Sequence, residues 1–260
     1  MPYMNSGKSK LYYEEYGDGP PLILAHGVGG NHASWFKQIP TFSKHYRTIV
    51  FDQRSFGNSD DIEGVGRSGF QDDLLRLLDE LKIDKAILIG QSLGGGAVAA
   101  FSCRFPERVA ALVIADSLVG AMLPPPLDQE LAEVYKKAAS LTQVERVLGP
   151  IIRENDPEST LLYLQIASFN NVTFKTVKGE WAPWTPAELA TTRLPILILV
   201  GRDEILFTPR LMHALHKLIP NSEYCEVPAA GHSAYFENAP EFNRSVLDYL
   251  DRVLKGNAAA

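Results

Sequence analysis

Short apolar segments, separated by stretches with helical periodicity, constrain the fold of this chain more than any other feature. Six of them are strand candidates: residues 22–25, 48–51, 86–89, 111–115, 196–200 and 222–227. Continuous runs of Ile, Val and Leu are typical of strands buried on both faces, and therefore of a parallel sheet. Helical patterns lie between them, as at 70–81, where Leu74, Leu77 and Leu78 recur. This alternation predicts an α/β fold with a mostly parallel central sheet flanked by helices, to which residues 12–16 add an N-terminal antiparallel strand.

One long interval interrupts this alternation. Residues 121–190 contain no strand candidate, and prolines stand near both ends of the interval, where they favour hinges. Helical patterns cover 127–140, 142–153 and 157–168. We therefore expect residues 1–120 and 191–257 to form one core, residues 121–190 to form a helical cap inserted between two core strands, and residues 258–260 to form a frayed tail.

The charge and composition exclude several classes of protein. A net charge of −6 argues against a nucleic-acid-binding protein, which is normally basic. No apolar run is long enough to predict a membrane span, and residues 1–10 lack the apolar stretch of a signal peptide. Cys103 and Cys225 are too few for a disulfide framework. We expect a cytoplasmic protein with reduced thiols and with neither a nucleic-acid nor a membrane partner, while the oligomeric state leaves no signal.

The segment G-Q-S-L-G at residues 90–94 predicts a nucleophile. The apolar strand candidate before it and the small residues after it predict a strand, a very tight turn and a helix, with Ser92 at the turn. A serine there is forced toward positive φ, and Gly90 and Gly94 lack the Cβ atoms that would collide with the adjoining strand and helix. The N-terminus of the following helix favours negative charge. Ser92 is therefore the predicted nucleophile, and the Leu93 N–H is one predicted oxyanion donor.

A serine hydroxyl becomes a strong nucleophile only when a base takes its proton and a third group orients that base. His232 is the predicted base, since it lies in a small-residue loop after the last strand candidate. Asp203 is the predicted acid because it follows the strand candidate at 196–200, and catalytic groups gather at the carboxyl ends of strands in α/β sheets. Two other acids stay open at this point, the adjacent Glu204 and Asp116, which follows the neighbouring strand candidate.

The glycine-rich loop at 26–30 supplies the second predicted oxyanion donor. Its glycines allow the loop to fold back toward the nucleophile, so the Val28 N–H is the natural donor. A dinucleotide-binding fingerprint is the rival interpretation of these glycines, but that pattern needs glycine where His32 stands. The histidines and cysteines also lack the spacing of a zinc site. We therefore expect no cofactor and no metal.

Several motifs in the correct order resemble the α/β-hydrolase family, over nearly the whole chain outside the cap. The matching segments are the oxyanion loop at 26–30, a D-x-R-G-x-G-x-S-like segment at 51–60 with Ser55 in place of the usual glycine, the elbow at 90–95, the acid turn at 201–203 and the histidine loop at 231–232. The most similar group contains small carboxylesterases, enol-lactonases, cofactor-free haloperoxidases and meta-cleavage product hydrolases. The resemblance implies an α/β-hydrolase fold and a triad of Ser92, Asp203 and His232.

The same resemblance implies a serine hydrolase that cleaves a small carboxylic ester or lactone through an acyl-enzyme on Ser92. A carbon–carbon bond hydrolase of the meta-cleavage product type is the alternative, although its usual elbow is G-N-S-M-G and Tyr235 stands in the region of its usual tryptophan. A ligand receptor with a vestigial triad is a third hypothesis. We expect His26 to be a structural hydrogen-bonding residue rather than a base. The expected pocket residues are His26, Gly27, Phe169, Trp181, Trp184 and Tyr235, and the carbon–carbon alternative adds Phe174 as a candidate.

Overall fold

The computed structural model describes residues 2–256, and its centre is an eight-stranded sheet with the order β1-β2-β4-β3-β5-β6-β7-β8. The strands are β1 (Tyr3–Ser6), β2 (Ser9–Tyr16), β3 (Pro21–Ala25), β4 (Arg47–Phe51), β5 (Ala86–Gln91), β6 (Val109–Ala115), β7 (Ile196–Gly201) and β8 (Ser222–Val227). β2 pairs antiparallel with both β1 and β4, and every pairing from β4 to β8 is parallel. The predicted α/β-hydrolase fold with a mostly parallel sheet is confirmed.

Eleven α-helices connect and cover these strands within the described part of the chain. They are α1 (Ile39–Phe42), α2 (Phe70–Glu80), α3 (Leu93–Arg104), α4 (Leu127–Ala138), α5 (Gln143–Val147), α6 (Pro150–Asn155), α7 (Pro157–Ser168), α8 (Pro186–Thr191), α9 (Pro209–Leu218), α10 (Ala234–Glu237) and α11 (Ala239–Gly256). None of the described helices is long and apolar enough to cross a membrane.

Two apolar layers cover the two faces of the sheet. On one face, strand residues such as Ile23 pack with side chains of α2, α3, α8 and α9. On the other face, their neighbours Leu22 and Leu24 pack with α1 and α11. Successive side chains of a strand point to opposite faces, so a continuous apolar run fills both layers. Because both faces are covered, the carboxyl edge of the parallel strands is the part of the sheet that remains open for a ligand.

Five helices, α4 to α8, lie between β6 and β7, where the sequence predicts a helical cap. The predicted helix at 142–153 is divided into α5 and α6. Thr142 caps the first helix with a capping box, and Leu148 leaves helical geometry with φ −128°. Pro150 explains the break, because a proline disfavours helical geometry in the residue before it and is itself tolerated at the start of a helix.

The two ends of the cap segment meet at one place, which we call the cap base (residues 120–122 with Trp184). Ala121 pairs with Trp184 in an isolated parallel bridge. The Met122 N–H donates to the Trp184 carbonyl at 2.8 Å, and the Trp184 N–H donates to the Gly120 carbonyl at 3.0 Å. The indole N–H of Trp184 donates to the Val119 carbonyl at 2.9 Å. The chain therefore leaves the core and returns to it through a single hydrogen-bonded junction.

Strand β1 is absent from the sequence-based prediction. Its alternation of two exposed and two buried residues, with Met4 and Ser6 buried, is too short to give a clear apolar pattern. The Ser6 hydroxyl donates to Asp73 at 2.5 Å, so a tertiary contact with α2 holds the strand in place. The predicted tail at 258–260 and the predicted core boundary at residue 257 lie outside the described residues.

Candidate active site

Ser92 lies at the turn between β5 and α3, where its backbone adopts φ +51° and ψ −116°. A Cβ atom on Gly90 would lie 2.4 Å from the Gly94 carbonyl oxygen, and one on Gly94 would lie 2.1 Å from the Ala25 carbonyl oxygen. Only glycine fits at either position, so the two glycines allow the strand and helix to approach closely while the serine bears the strained φ. This is the strand, turn and helix that the G-Q-S-L-G segment predicts.

His232 lies in the loop between β8 and α10, and its Nε2 atom is 2.9 Å from Ser92 Oγ. Only 5% of the histidine is exposed. Gln91 holds the loop of His232 in place, since its side-chain amide donates to the His232 carbonyl at 2.7 Å. The variable position of the elbow motif thus carries a residue that positions the base. The structure brings together the predicted nucleophile and the predicted base.

The carboxylate that contacts His232 is a different residue from the predicted acid. His232 Nδ1 hydrogen bonds with the Glu204 carboxylate, not with Asp203. The turn after β7 explains the correction, because the Glu204 N–H donates to the Gly201 carbonyl at 3.1 Å and the turn directs Glu204 inward. The second Glu204 oxygen accepts the Leu206 N–H, so the buried carboxylate is held at both oxygens. Asp203, one residue earlier, stays partly exposed.

Asp116, the other acid that the sequence left open, is completely buried but forms no hydrogen bond with His232. Its two oxygens accept the Gly201 N–H at 2.7 Å and the Ala234 N–H at 3.4 Å. Burial raises the pKa of Asp116 well above its ordinary value, and the nearby Glu204 carboxylate raises it further. We therefore assign Asp116 a structural role, in which it links the end of β7 to the start of α10.

Glu237 is a functional candidate that the sequence analysis missed. Its carboxylate accepts the Gly231 N–H and the Ser233 N–H, each at 3.0 Å, and these residues flank His232. It also accepts the N–H of Gly149, a residue of the cap segment, at 2.9 Å. Burial raises the pKa of Glu237. The only sequence signal is the position of Glu237, five residues after His232, and that spacing predicts no contact until the loop conformation is known.

The two predicted oxyanion donors face the same cavity as Ser92. The Gly30 N–H donates to the Gly27 carbonyl at 3.0 Å, which closes a turn with Val28 near its tip. Leu93 is the first residue of α3, so its N–H belongs to the group that has no acceptor inside the helix. Neither the Val28 N–H nor the Leu93 N–H donates to another described residue. Both donors are therefore free to bind a developing oxyanion.

A cavity of about 1000 Å³ opens between Ser92, His232 and the cap segment. Val28, Leu93 and Phe207 line it from the core. Most of its wall is apolar and comes from α4, α5, α7 and the segment 170–181. The volume lies at the upper end of the range for small-molecule sites. Two of the predicted pocket aromatics, Phe174 and Trp181, line this cavity.

The other predicted pocket residues lie elsewhere. Phe169 is 69% exposed and is not part of the cavity wall. Trp184 is buried at the cap base, and Tyr235 is buried against Trp35, with ring centroids 4.5 Å apart. The corrections for Trp184 and Tyr235 share one cause. A large aromatic side chain fills core space as readily as it lines a pocket, and only the tertiary contacts distinguish the two roles.

His26 and Gly27 lie behind the nucleophile rather than in the cavity wall. His26 Nε2 accepts the Gln53 N–H at 3.0 Å, and burial lowers the pKa of His26. A neutral, fully buried imidazole is the structural hydrogen-bonding residue that the sequence predicts. A Cβ atom on Gly27 would lie 3.0 Å from the Ser92 Cβ, so this glycine permits close packing of the oxyanion loop on the elbow. Within residues 2–256, no group of three or more His, Cys, Asp and Glu side chains is arranged to hold a metal.

Comparisons with known proteins extend over most of the chain. A family model described as alpha/beta hydrolase fold matches residues 20–156, which is more than half of the chain. A 2-hydroxy-6-oxononadienedioate/2-hydroxy-6-oxononatrienedioate hydrolase of Paraburkholderia phymatum is 28% identical over 266 residues, with 93% of this chain and 91% of the relative covered. A Bacillus subtilis protein named uncharacterized carboxylesterase nap is 29% identical over 248 residues, covering 90% of this chain and 80% of the relative. A solved structure of a thermophilic esterase from Thermogutta terrifontis superposes with a TM-score of 0.79 at 25% identity, covering 94% of each chain.

Proposed function

The chain belongs to the α/β-hydrolase family, and from this premise we propose that it cleaves a small carboxylic ester or lactone through an acyl-enzyme on Ser92. One observation carries the proposal: Ser92 Oγ lies 2.9 Å from His232 Nε2 at the wall of a large, mostly apolar cavity. The Glu204 carboxylate on the opposite ring nitrogen completes the hydrogen-bonded series that activates a serine.

In the proposed reaction, the Ser92 hydroxyl attacks the substrate carbonyl while its proton passes to His232 Nε2. Glu204 holds the ring and stabilises the imidazolium that forms. The N–H groups of Val28 and Leu93 donate to the oxyanion of the tetrahedral intermediate. His232 then gives its proton to the leaving alcohol, and a water molecule activated by the same ring releases the acid and restores Ser92.

Two names among the relatives support an ester substrate, the carboxylesterase of Bacillus subtilis and the esterase of Thermogutta terrifontis. The name of the Paraburkholderia phymatum relative supports the alternative, carbon–carbon cleavage of a meta-cleavage product. The elbow residue Gln91 and the absence of tryptophan shortly after His232, where Tyr235 and Phe236 stand, favour the ester reaction, since the carbon–carbon hydrolases that this chain resembles differ at both places.

We also propose that residues 121–190 act as a cap that shapes the cavity over a core formed by the described residues on either side, 2–120 and 191–256. Side chains of α4, α5 and α7 line the cavity, which supports this division. We propose the cytoplasm as the compartment, which the free thiols of Cys103 and Cys225 support.

The proposed function is tested with a panel of p-nitrophenyl esters, lactones and a meta-cleavage product. We expect ester or lactone hydrolysis, and we expect Ser92→Ala to lower kcat/KM by about 10³-fold or more, since the nucleophile and base act as one unit. Ser140→Ala, at an exposed serine of the cap segment, is the matched control and should retain full activity.

Other outcomes would redirect the proposal. Turnover of the meta-cleavage product alone would support carbon–carbon cleavage instead. Absence of any adduct between Ser92 and a fluorophosphonate probe, together with absence of turnover, would favour a receptor with a vestigial triad.

A further inference from the structure

The cavity beside Ser92 has an uneven charge. Its wall includes two cationic side chains, Arg146 and Lys175, and no aspartate or glutamate. The chain as a whole carries a net charge of −6, so a cavity wall with only positive formal charge differs from the rest of the molecule. Such a wall attracts anionic ligands and repels cationic ones.

Arg146 lies on α5 together with two other cavity-lining residues, Gln143 and Val147. Residues three and four positions apart lie on the same face of a helix, so one face of α5 presents a guanidinium, an amide and an aliphatic side chain to the cavity. Neither Arg146 nor Gln143 forms an ion pair or side-chain hydrogen bond with another described residue. The donors of both groups are therefore available to a ligand.

Hydrogen bonds at both ends of α5 hold this helix in place, so its cavity-facing side is a fixed part of the wall. Thr142 and Glu145 form a capping box at the start of the helix, with the Thr142 N–H donating to Glu145 at 2.8 Å. After the helix ends, the Gly149 N–H donates to Glu237, the carboxylate that also holds the loop of His232. The position of Arg146 is thus tied at both ends of α5, and at one end to the catalytic loop.

We propose that Arg146, assisted by Gln143, binds a carboxylate that the substrate carries at the end remote from the scissile bond. A guanidinium presents planar N–H donors that match a carboxylate, and the side-chain amide of Gln143 adds another donor beside it. The mostly apolar wall of the cavity suits a hydrocarbon segment between the two ends of the substrate. The preferred substrates are therefore half-esters of aliphatic dicarboxylic acids and lactones or esters with a carboxylate side chain. This inference rests on the proposed ester hydrolysis and specifies its substrate class.

Pairs of esters that differ only in the remote group test the inference. Monomethyl adipate is compared with methyl 6-amino-6-oxohexanoate for an anion on the acyl side, and 6-acetoxyhexanoate is compared with 6-acetoxyhexanamide for an anion on the alcohol side, so that each neutral member carries an amide in place of the carboxylate and only one ester bond. Acid release is followed by titration at constant pH. We expect the wild-type protein to prefer the anionic member of at least one pair by about 10- to 100-fold in kcat/KM, the range for a charge-assisted hydrogen bond.

The variant Arg146→Met should remove this preference, because kcat/KM should fall much more for the anionic member of the pair than for the neutral one. Arg146→Lys retains the charge and should restore part of the preference. Lys137→Met is the matched control, since Lys137 is an exposed cation of α4 outside the cavity wall. Raised ionic strength should weaken the preference of the wild-type protein, because the charges attract less when screened.

The outcomes separate this inference from the proposed function. If the neutral esters are cleaved as well as or better than the anionic ones in both pairs, the inference is wrong and ester hydrolysis stands. If Arg146→Met lowers kcat/KM equally for both members of the preferred pair, the inference is also wrong, since Arg146 then acts on the structure rather than on the anion. If no ester or lactone is cleaved at all, the proposed function fails and the inference fails with it.

Discussion

Two adjacent carboxylates follow β7, and only the second of them, Glu204, hydrogen bonds with His232. Asp203 and Glu204 are adjacent and both are carboxylates, and the sequence favours the residue that comes first after the glycine and arginine. The hydrogen bond from the Glu204 N–H to Gly201 decides otherwise, since it directs the later residue toward His232. The spacing of residues in the sequence does not distinguish Asp203 from Glu204. The hydrogen-bonded turn distinguishes them, because it directs only Glu204 toward His232.

The paired variants Glu204→Gln and Asp203→Asn test this assignment at the residue scale. An amide in place of Glu204 cannot stabilise the imidazolium, so we expect kcat to fall by about 10³- to 10⁴-fold with the probe substrate from the ester panel. Asp203→Asn is the matched control, and we expect it to change kcat by no more than about twofold. Steady-state kinetics measures both. The opposite order of the two losses would return the acid role to Asp203.

The other residues of the site differ in how far the sequence predicts them. Ser92 and Val28 lie in short motifs whose glycines dictate the local backbone, so the sequence locates them without knowledge of the fold. His232 follows from its place after the last strand. The roles of Trp184 and Tyr235 do not follow, because nothing local distinguishes an aromatic residue that fills the core from one that faces a ligand.

At the scale of the elements, the loop between β8 and α10 is held by a carboxylate that also binds the cap segment. The carboxylate of Glu237, at the end of α10, accepts three backbone N–H groups, two beside His232 and one from Gly149. The sequence predicts the strand before this loop but not the contact with Gly149, because Glu237 and Gly149 are 88 positions apart. We therefore assign Glu237 as a positioning residue for the base.

Glu237→Gln tests the positioning role. A glutamine offers one oxygen where the glutamate offers two, so at least one of the three N–H groups loses its acceptor. We expect kcat to fall about tenfold with a smaller change in KM, and we expect the rate of Ser92 labelling by a fluorophosphonate probe to fall in parallel, since labelling depends on the His232 base.

The control for this variant is Glu241→Gln on α11, which removes only a surface ion pair with Arg244. It should leave both rates unchanged. A Glu237→Gln protein with normal kcat and a normal labelling rate would show that the carboxylate does not position His232, even if its thermal stability is lower.

At the scale of the whole molecule, the cavity wall is formed by two parts of the chain, the core and the cap segment. The residues outside the cap segment contribute Ser92, His232, Val28 and Leu93, while most of the remaining wall comes from the cap segment. The core is highly predictable from sequence because its strands follow from local apolar runs. The cap is predictable only as a set of helices, because the way they pack over Ser92 depends on contacts that no local pattern encodes.

Ala138→Phe should change the size preference of the protein without changing its chemistry. Ala138 is buried at the end of α4 and lines the cavity, so a larger side chain there reduces the space for the acyl group. We expect kcat/KM for p-nitrophenyl octanoate to fall about tenfold or more, while p-nitrophenyl acetate is cleaved within about twofold of the wild-type rate. Ala132→Phe, on the exposed side of the same helix, is the control. Equal losses for both esters in Ala138→Phe would contradict a role of this wall in selecting chain length.

The cap base has an evolutionary consequence. Because Ala121 and Trp184 already hold the entry and exit of the chain together, the intervening segment is a closed loop whose length scarcely affects the core. Doubling such a loop costs only about 0.6 kcal/mol of closure free energy. Insertions, deletions and recombination between these two points can therefore replace the segment that lines most of the cavity while leaving Ser92, His232 and their supporting strands intact. A lineage built in this way can diversify its substrates faster than its chemistry, and a designer can graft a foreign cap at the same two residues.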